Sequence, residues 1–386
     1  MIRKYVISII YMLGFIILGT SSTFAAIKST ELTPQTREIK VQNNDISMPT
    51  LSPNLKYLAF LKFSSPKTPS LDASFESSSE GILWMLNIEN GSIKKLSNEI
   101  ILDDEPHVSW SPDSSSIVFG TNGEIWIADI INKENIKIQK PKNIKKNKYS
   151  AKYDNYFHSP AYSPDGKTIA IRNVYDIWLY NIGTNSYQII YSPQKELLAG
   201  KDTGDLPKLN WSHNSQILAF DQMKFLKPQG ELTKRYIEGI AEIDIEGKKT
   251  KAIVGIDSNI EYLPVFSQDN CYVSFLSRPD WDTKPSIYVN DIKTNKSFKI
   301  VDCEDECYML SWTENNLKLI FATNKALWFV NLKDISKPVI EKRITIRGIN
   351  DLSDIFWFPK GETLYFLKPI KSGKYTFGSL KKLLEK

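Results

Sequence analysis

Two histidines stand at nearly matching distances ahead of a repeated serine: His107 four residues before Ser111, and His158 five before Ser163. Histidine close to serine is the beginning of a nucleophilic relay, in which the imidazole acts as base and a third group orients it. The third histidine, His213, falls in a turn between two apolar runs. No Gly-x-Ser-x-Gly nucleophile elbow is present. The plainer reading of His107 and His158 is a pair of hydrogen-bonded rings at a channel rim. A shared ligand or cation site is the alternative. No catalytic residue is assigned, and the chain is expected not to be an enzyme.

Acidic residues recur in six places: Asp103, Asp104 and Glu105; Asp154; Asp202 and Asp205; Asp257 and Glu261; Asp302, Glu304, Asp305 and Glu306; Asp351 and Asp354. Gathered on one face, they would sum to a negative potential that attracts a basic protein segment or a cation. The competing reading is that Asp simply suits turns. Paired carboxylates can also cleave glycosides, but nothing in the sequence sets two of them at a reacting distance. The candidate binding residues are therefore His107, His158, Asp104, Asp154, Asp205, Asp257, Asp305 and Asp354. Phosphate loops, zinc-spaced Cys/His clusters and EF-hand loops are absent from the sequence, so neither a cofactor nor a metal is expected.

Cys303 and Cys307 flank Glu-Asp-Glu and could close a small loop in an oxidising compartment, although so short a loop stabilises little. Cys271 opens an apolar strand and is expected to be a buried free thiol. A lysine run from Lys137 to Lys152 contains no arginine and no regular aromatic interleaving. It reads as a solvated loop, or else as a contact for an anionic partner or lipid head groups.

The first 25 residues have the pattern of an export signal. Arg3 and Lys4 precede an apolar run, Val6 to Gly19, that is short for a membrane span, and small residues lead to a cleavage site after Ala25. An uncleaved anchor is the alternative. Without this segment the net charge falls from +5 to +3, too little to point to nucleic acid. The expected address is the periplasm, with membrane contact only peripheral or through an uncleaved signal.

The elements that must position these residues are repeats. Trp110-Ser111-Pro112-Asp113 leads into Ser116 to Phe119, Tyr162-Ser163-Pro164-Asp165-Gly166 into Thr168 to Ile171, and Trp211-Ser212-His213-Asn214 into Ile217 to Phe220. Phe266-Ser267-Gln268-Asp269 and Trp312-Thr313-Glu314-Asn315 continue the series. Weaker copies begin at Leu51 and Trp357. In each, a strand meets a tight turn whose proline presets φ, whose Asp bonds nearby backbone and whose Gly takes φ > 0. An apolar strand, an aromatic strand such as Ile177-Trp178-Leu179-Tyr180, and a polar edge strand such as Ser186 to Tyr191 follow.

Four antiparallel strands per repeat predict an all-β fold, a β-propeller of four-stranded blades, with seven blades favoured and six possible. The last copy supplies three strands: Ile355 to Phe358, Thr363 to Leu367, and about Lys374 to Leu380. Arg37 to Gln42 is predicted to complete that blade and close the ring, the alternative being a loose tail. The expected organisation is a signal peptide at 1–25, an N-terminal segment with the ring-closing strand at 26–45, and the propeller at 46–386. Ser64 to Gly81, Lys140 to Phe157 and Met223 to Lys234 stand outside the repeat as long insertions, where specificity tends to sit. Trp281, between two aspartates, is the best exposed aromatic for stacking on a saccharide.

The Tyr/Trp-Ser-Pro-Asp-Gly turn followed by an apolar strand and an Ile-Trp strand resembles the repeat of TolB-like propellers, best at 107–131 and 159–182. The same repeat occurs in propellers attached to prolyl-oligopeptidase-type peptidases. The resemblance implies a periplasmic scaffold of the Tol–Pal type that binds another envelope protein or lipoprotein, here as a monomer. A small-molecule, cation or saccharide binder at the channel mouth is the alternative. Two departures stand out: only about 20 residues separate the cleavage site from the first repeat, leaving no room for TolB's α/β domain, and TolB's propeller has six blades.

Overall fold

The computed structural model describes residues 29–40, 46–63, 80–102, 108–132, 134–141, 156–173, 176–192, 209–226, 235–247, 249–252, 259–280, 282–352, 355–360, 363–371 and 374–380. The export signal lies outside them.

Two strands, β1 (Ser29–Leu32) and β2 (Gln35–Lys40), precede the repeats. Blade 1 is β3 (Ile46–Leu51), β4 (Tyr57–Phe63), β5 (Glu80–Asn87) and β6 (Ile93–Leu102). Blade 2 is β7 (Val108–Trp110), β8 (Ser116–Thr121), β9 (Glu124–Asp129) and β10 (Asn135–Lys137). Blade 3 is β11 (His158–Tyr162), β12 (Thr168–Arg172), β13 (Ile177–Asn181) and β14 (Ser186–Tyr191). Blade 4 is β15 (Asn210–Trp211), β16 (Ile217–Leu226), β17 (Arg235–Asp244) and β18 (Lys249–Ala252). Blade 5 is β19 (Ile260–Phe266), β20 (Tyr272–Arg278), β21 (Ser286–Asp291) and β22 (Lys296–Asp302). Blade 6 is β23 (Met309–Trp312), β24 (Lys318–Ala322), β25 (Leu327–Asn331) and β26 (Val339–Ile346). Blade 7 is β27 (Phe356–Lys360), β28 (Thr363–Lys371) and β29 (Lys374–Leu380), completed by β2.

The ring is therefore a seven-bladed propeller closed by an N-terminal strand, as the repeats predict. β2 pairs antiparallel with β29 from Gln35↔Ser379 to Lys40↔Lys374. Ile39 is buried with Ile46, Phe60 and Phe377 at the junction of blades 7 and 1. Burying such a side chain stabilises by about 1.5–3 kcal/mol. Tyr375 Oη accepts from Ile46 N at 2.6 Å across the same seam. One strand goes beyond the expectation: β1 adds in parallel to β26, making blade 6 five-stranded, and Arg347 bonds Glu31 at 3.0 Å. The Met223 to Lys234 insertion is also partly strand, since β16 and β17 stay paired out to Leu226↔Arg235.

The second strand of each blade carries an apolar run because a neighbour covers each of its faces there. Ile117 and Phe119 pack with Ala59, Leu61 and Leu83 of blade 1, whereas Val118 packs with Ile169 and Ile171 of blade 3. Strand alternation thus divides one apolar run between two inter-blade wedges. The core is a set of such wedges, not one central mass.

The tight turns share one bonding pattern. The Ser or Thr hydroxyl donates to the Asp or Asn two residues on, at 2.6–2.8 Å, in six copies. The same hydroxyl accepts from the amide five residues on at 2.8–3.2 Å. The residue after the Asp or Asn has φ of 57–71°, at Leu55, Ser114, Gly166, Ser215, Asn270 and Asn316. Glycine stands there once, and Asn twice, the side chain that tolerates this region best after Gly. Turns also bond to the next blade's turn: Asn54 N donates to Ser114 Oγ at 3.0 Å, Asp165 N to Ser215 Oγ at 3.0 Å, and Gln268 N to Asn316 Oδ1 at 2.6 Å.

Cys271 corrects an expectation. It is exposed, not buried. It occupies the turn position whose amide bonds the Asp carboxylate, here Asp269 at 3.0 Å, and inward alternation starts only at Val273.

Candidate functional site

Antiparallel blades put two kinds of connection on opposite faces. The turn face carries the Ser-Pro-Asp turns and the turns between third and fourth strands. Asp113 belongs to the former, and hydrogen bonds from Ser111 and the Ser115 amide hold its carboxyl below the usual range. In the latter, Asp129 Oδ1 accepts from Ile131 N at 2.8 Å and Asn132 N at 2.7 Å, and Asp244 and Asp291 do the same for their own turns. Aspartate on this face serves the turns. The other face, the loop face, carries the inter-blade connections and the insertions.

Of the candidate residues, His107, Asp104, Asp154, Asp205, Asp257 and Asp354 lie outside the described residues, as does Trp281. His158 and Asp305 are described, in blade 3 and after blade 5. His158 opens β11, is 2% exposed, and pairs in register with Arg172. Its Nδ1 lies 2.8 Å from Ser159 Oγ. Ser159 is equally buried, so this Ser–His contact is shut off from solvent. Glu261, grouped with Asp257 in the sequence, lies inside β19 and is fully buried.

The connection from blade 5 to blade 6 is the acidic cluster described in full. Asp302 meets Lys299 at 2.5 Å and Ser286 at 2.6 Å, which outweigh burial and hold its carboxyl low. Asp305 lies 3.7 Å from Lys284, which also donates to Glu304 O. Glu306 clasps Arg278 with both oxygens, Nη1–Oε1 at 3.0 Å and Nη2–Oε2 at 2.6 Å. Three of the four carboxylates in the cluster thus face a cation.

Sequence reading missed Arg278, the centre of this corner. It ends β20 with its side chain 4% exposed, while that of Glu306 is 44% exposed. Its Nε donates to Tyr262 Oη at 2.9 Å, Nη2 bonds the same oxygen, and the guanidinium lies 5.0 Å from the Tyr262 ring centre. Burial pushes the Tyr262 phenol up to about 12, with Arg278 opposing, so it stays protonated at neutral pH. A guanidinium fixed on three sides is a carboxylate-recognising group. Its only sequence signal is a charge closing the run Tyr-Val-Ser-Phe-Leu-Ser-Arg.

A second missed feature lines the ring axis. β3, β11 and β19 each carry a bulge at an X-Pro pair: Met48-Pro49, Ser159-Pro160 and Leu263-Pro264. The residue before each proline has φ of 47°, 49° and 57° respectively. Such strained positions concentrate at functional surfaces, and bulges re-aim side chains. The detectable signal was a proline three residues before the turn serine in alternate blades.

In the lysine run, Lys137 pairs with Glu124 at 2.5 Å, and Lys140 lies 5.9 Å from the Phe157 ring centre. Residues 142–155 lie outside the described residues.

No family model matches this chain, and no curated protein matches it. Solved structures do. A chain of the Mitotic Checkpoint Complex aligns at 13% identity over 91% of this chain and 92% of its own, with a TM-score of 0.57. Hydrazine synthase of Kuenenia stuttgartiensis aligns at 12% over 90% and 98%, with a TM-score of 0.55. Oligogalacturonate lyase of Vibrio parahaemolyticus aligns at 10% over 91% and 98%, also at 0.55. At these identities the likeness shows the fold.

These likenesses correct the expectation that the chain is no enzyme. The same ring carries catalysts, and the missing nucleophile elbow excludes only one hydrolase design. In a propeller, chemistry can be assembled from connections some fifty residues apart in sequence, which leaves no local motif.

Proposed function

We propose that this chain is an exported, TolB-like propeller that works in the periplasm as a monomer. In this reading its loop face docks a basic segment of another cell-envelope protein or lipoprotein, without nucleic acid and with only peripheral membrane contact. The observation that carries it is the contrast between faces. Turn-face aspartates such as Asp113, Asp129 and Asp269 are bonded into their own turns, whereas Glu304 is exposed and Glu306 half-exposed beside fixed cations. Half-exposed carboxylates keep lone pairs for an incoming Lys or Arg. The N-terminal residues supply the export reading.

Crosslinking the tagged mature chain in intact envelopes, with mass spectrometry of the captured proteins, tests it. One envelope protein should be enriched. Its recovery should fall roughly tenfold, about 1.4 kcal/mol, when Asp104, Asp154, Asp205, Asp257, Glu304 and Asp354 are all neutralised to amides. Equal recovery would overturn the docking surface.

A second reading rests on Arg278 and the lyase likeness: an acidic saccharide bound or cleaved at the channel mouth, its carboxylate competing with Glu306 for the guanidinium. Thermal stabilisation by oligogalacturonate, lost in Arg278→Met, would support it. New ultraviolet absorbance from an unsaturated product would make the chain a lyase.

A further inference from the structure

The five-residue stretch from Cys303 to Cys307 joins blade 5 to blade 6. Both of its ends are anchored to the blades. Cys303 N donates to Pro285 O at 3.0 Å, and Tyr308 N donates to Ala322 O at 3.0 Å. The two thiols, 5% and 8% exposed, sit in one apolar wedge with Leu276, Ile287, Val301 and Leu310. The Cys303 thiol is hydrogen-bonded to the Cys307 side chain, which together with burial raises its pKa. Cys307 Sγ in turn lies 3.3 Å from Met309 O. The two side chains thus pack in the same wedge, four residues apart in the chain, and both are free thiols here. Between them project Asp305, toward Lys284, and Glu306, onto Arg278.

We propose that Cys303 and Cys307 are a modification site, a dithiol that closes into an intramolecular disulfide and fixes Glu306 on Arg278. The oxidant is a disulfide, either of a thiol oxidoreductase or of low molecular weight. One cysteine sulfur attacks it as thiolate, forming a mixed disulfide and releasing one oxidant thiol. The second cysteine sulfur attacks the first, forming the Cys303–Cys307 bond and releasing the second oxidant thiol. Two protons and two electrons leave the chain, and the oxidant is reduced by the same two. Because both sulfurs are buried, exchange is slow in the closed ring and fast before blade 6 packs. Cys271, exposed in a turn, takes no part.

The test uses the full mature chain refolded in glutathione buffers of graded ratio, quenched with acid, and alkylated after unfolding. Mass spectrometry should show loss of two hydrogens with Cys271 alone alkylated, and one tryptic species linking Cys303 to Cys307. Cys271→Ser should retain this behaviour, and the paired substitutions Cys303→Ser and Cys307→Ser should abolish it. Amide exchange of residues 304–308 should slow at least about tenfold on oxidation in the wild type and not in the paired variant. Alkylation of all three cysteines at every ratio, or bonding only through Cys271, overturns the disulfide. A disulfide that leaves exchange at 304–308 unchanged overturns its role in fixing Glu306.

Discussion

The turn face and the blade 5–blade 6 corner of the loop face both use acidic side chains, to different ends. On the turn face, Asp113, Asp165 and Asp269 bond within five residues of themselves, and the pattern recurs around the ring. At the corner, Glu306 reaches an arginine 28 residues away, at the end of a strand in another part of the blade. The turn face is a repeated structural joint. The corner instead joins blades 5 and 6 through a long-range ion pair beside the exposed Glu304.

The largest expected effect falls on the turn side. Trp312 is 3% exposed, stacks on Tyr272 of blade 5, and donates to Val265 O at 3.1 Å and Ser274 Oγ at 3.0 Å. Trp312→Ala should cost about 3–5 kcal/mol in urea unfolding. A cost below about 1 kcal/mol would mean that the inter-blade wedge does not carry the ring.

Ser267→Ala comes next. It leaves the Tyr272 amide and Asp269 without their hydroxyl partner at a buried site, and should cost about 1–3 kcal/mol by the same assay. Partner capture should be untouched, because the loss lies on the opposite face.

Glu306→Gln should cost less, about 1–2 kcal/mol, since water can reach the half-exposed partner even though Arg278 is buried. It should instead alter binding at the corner, measured as affinity for the captured protein. A variant that lowers stability and leaves affinity unchanged would place the corner with the joints.

The smallest effect is a pH slope. Glu242 in β17 is 5% exposed, and Lys251 lies 3.3 Å from its Oε1. Burial raises its pKa against that pairing. Its contribution is therefore full below the unfolded value, about 4.3, and is lost as pH rises through the folded value. Hydrogen bonding lowers Asp113, so its contribution is lost as pH falls. Glu242→Gln should flatten the first slope and leave the second, as read from melting temperature across about pH 3–8.

Seven repeats and the closing strand were legible because their signals are local and periodic: a turn, an apolar run, and a spare amphipathic segment for the one incomplete blade. The parallel strand β1 was not, because Ser-Thr-Glu-Leu carries little alternation and its partner lies more than 300 residues away. The acidic cluster at 302–306 was visible, but its neutralisation by Lys299, Lys284 and Arg278 was not, since blade folding brings those cations in. Cys271 misled for the opposite reason. It adjoins an apolar strand in sequence, yet belongs to the turn.

The central claim is that the loop face binds and the turn face supports. Photo-crosslinking residues placed one at a time at Glu304 on the loop face, and at Glu89 and Glu246 on exposed turns of the other face, test it in intact envelopes. The account predicts one partner captured from Glu304 and none from Glu89 or Glu246. Capture from the turn positions, with nothing from Glu304, would contradict it.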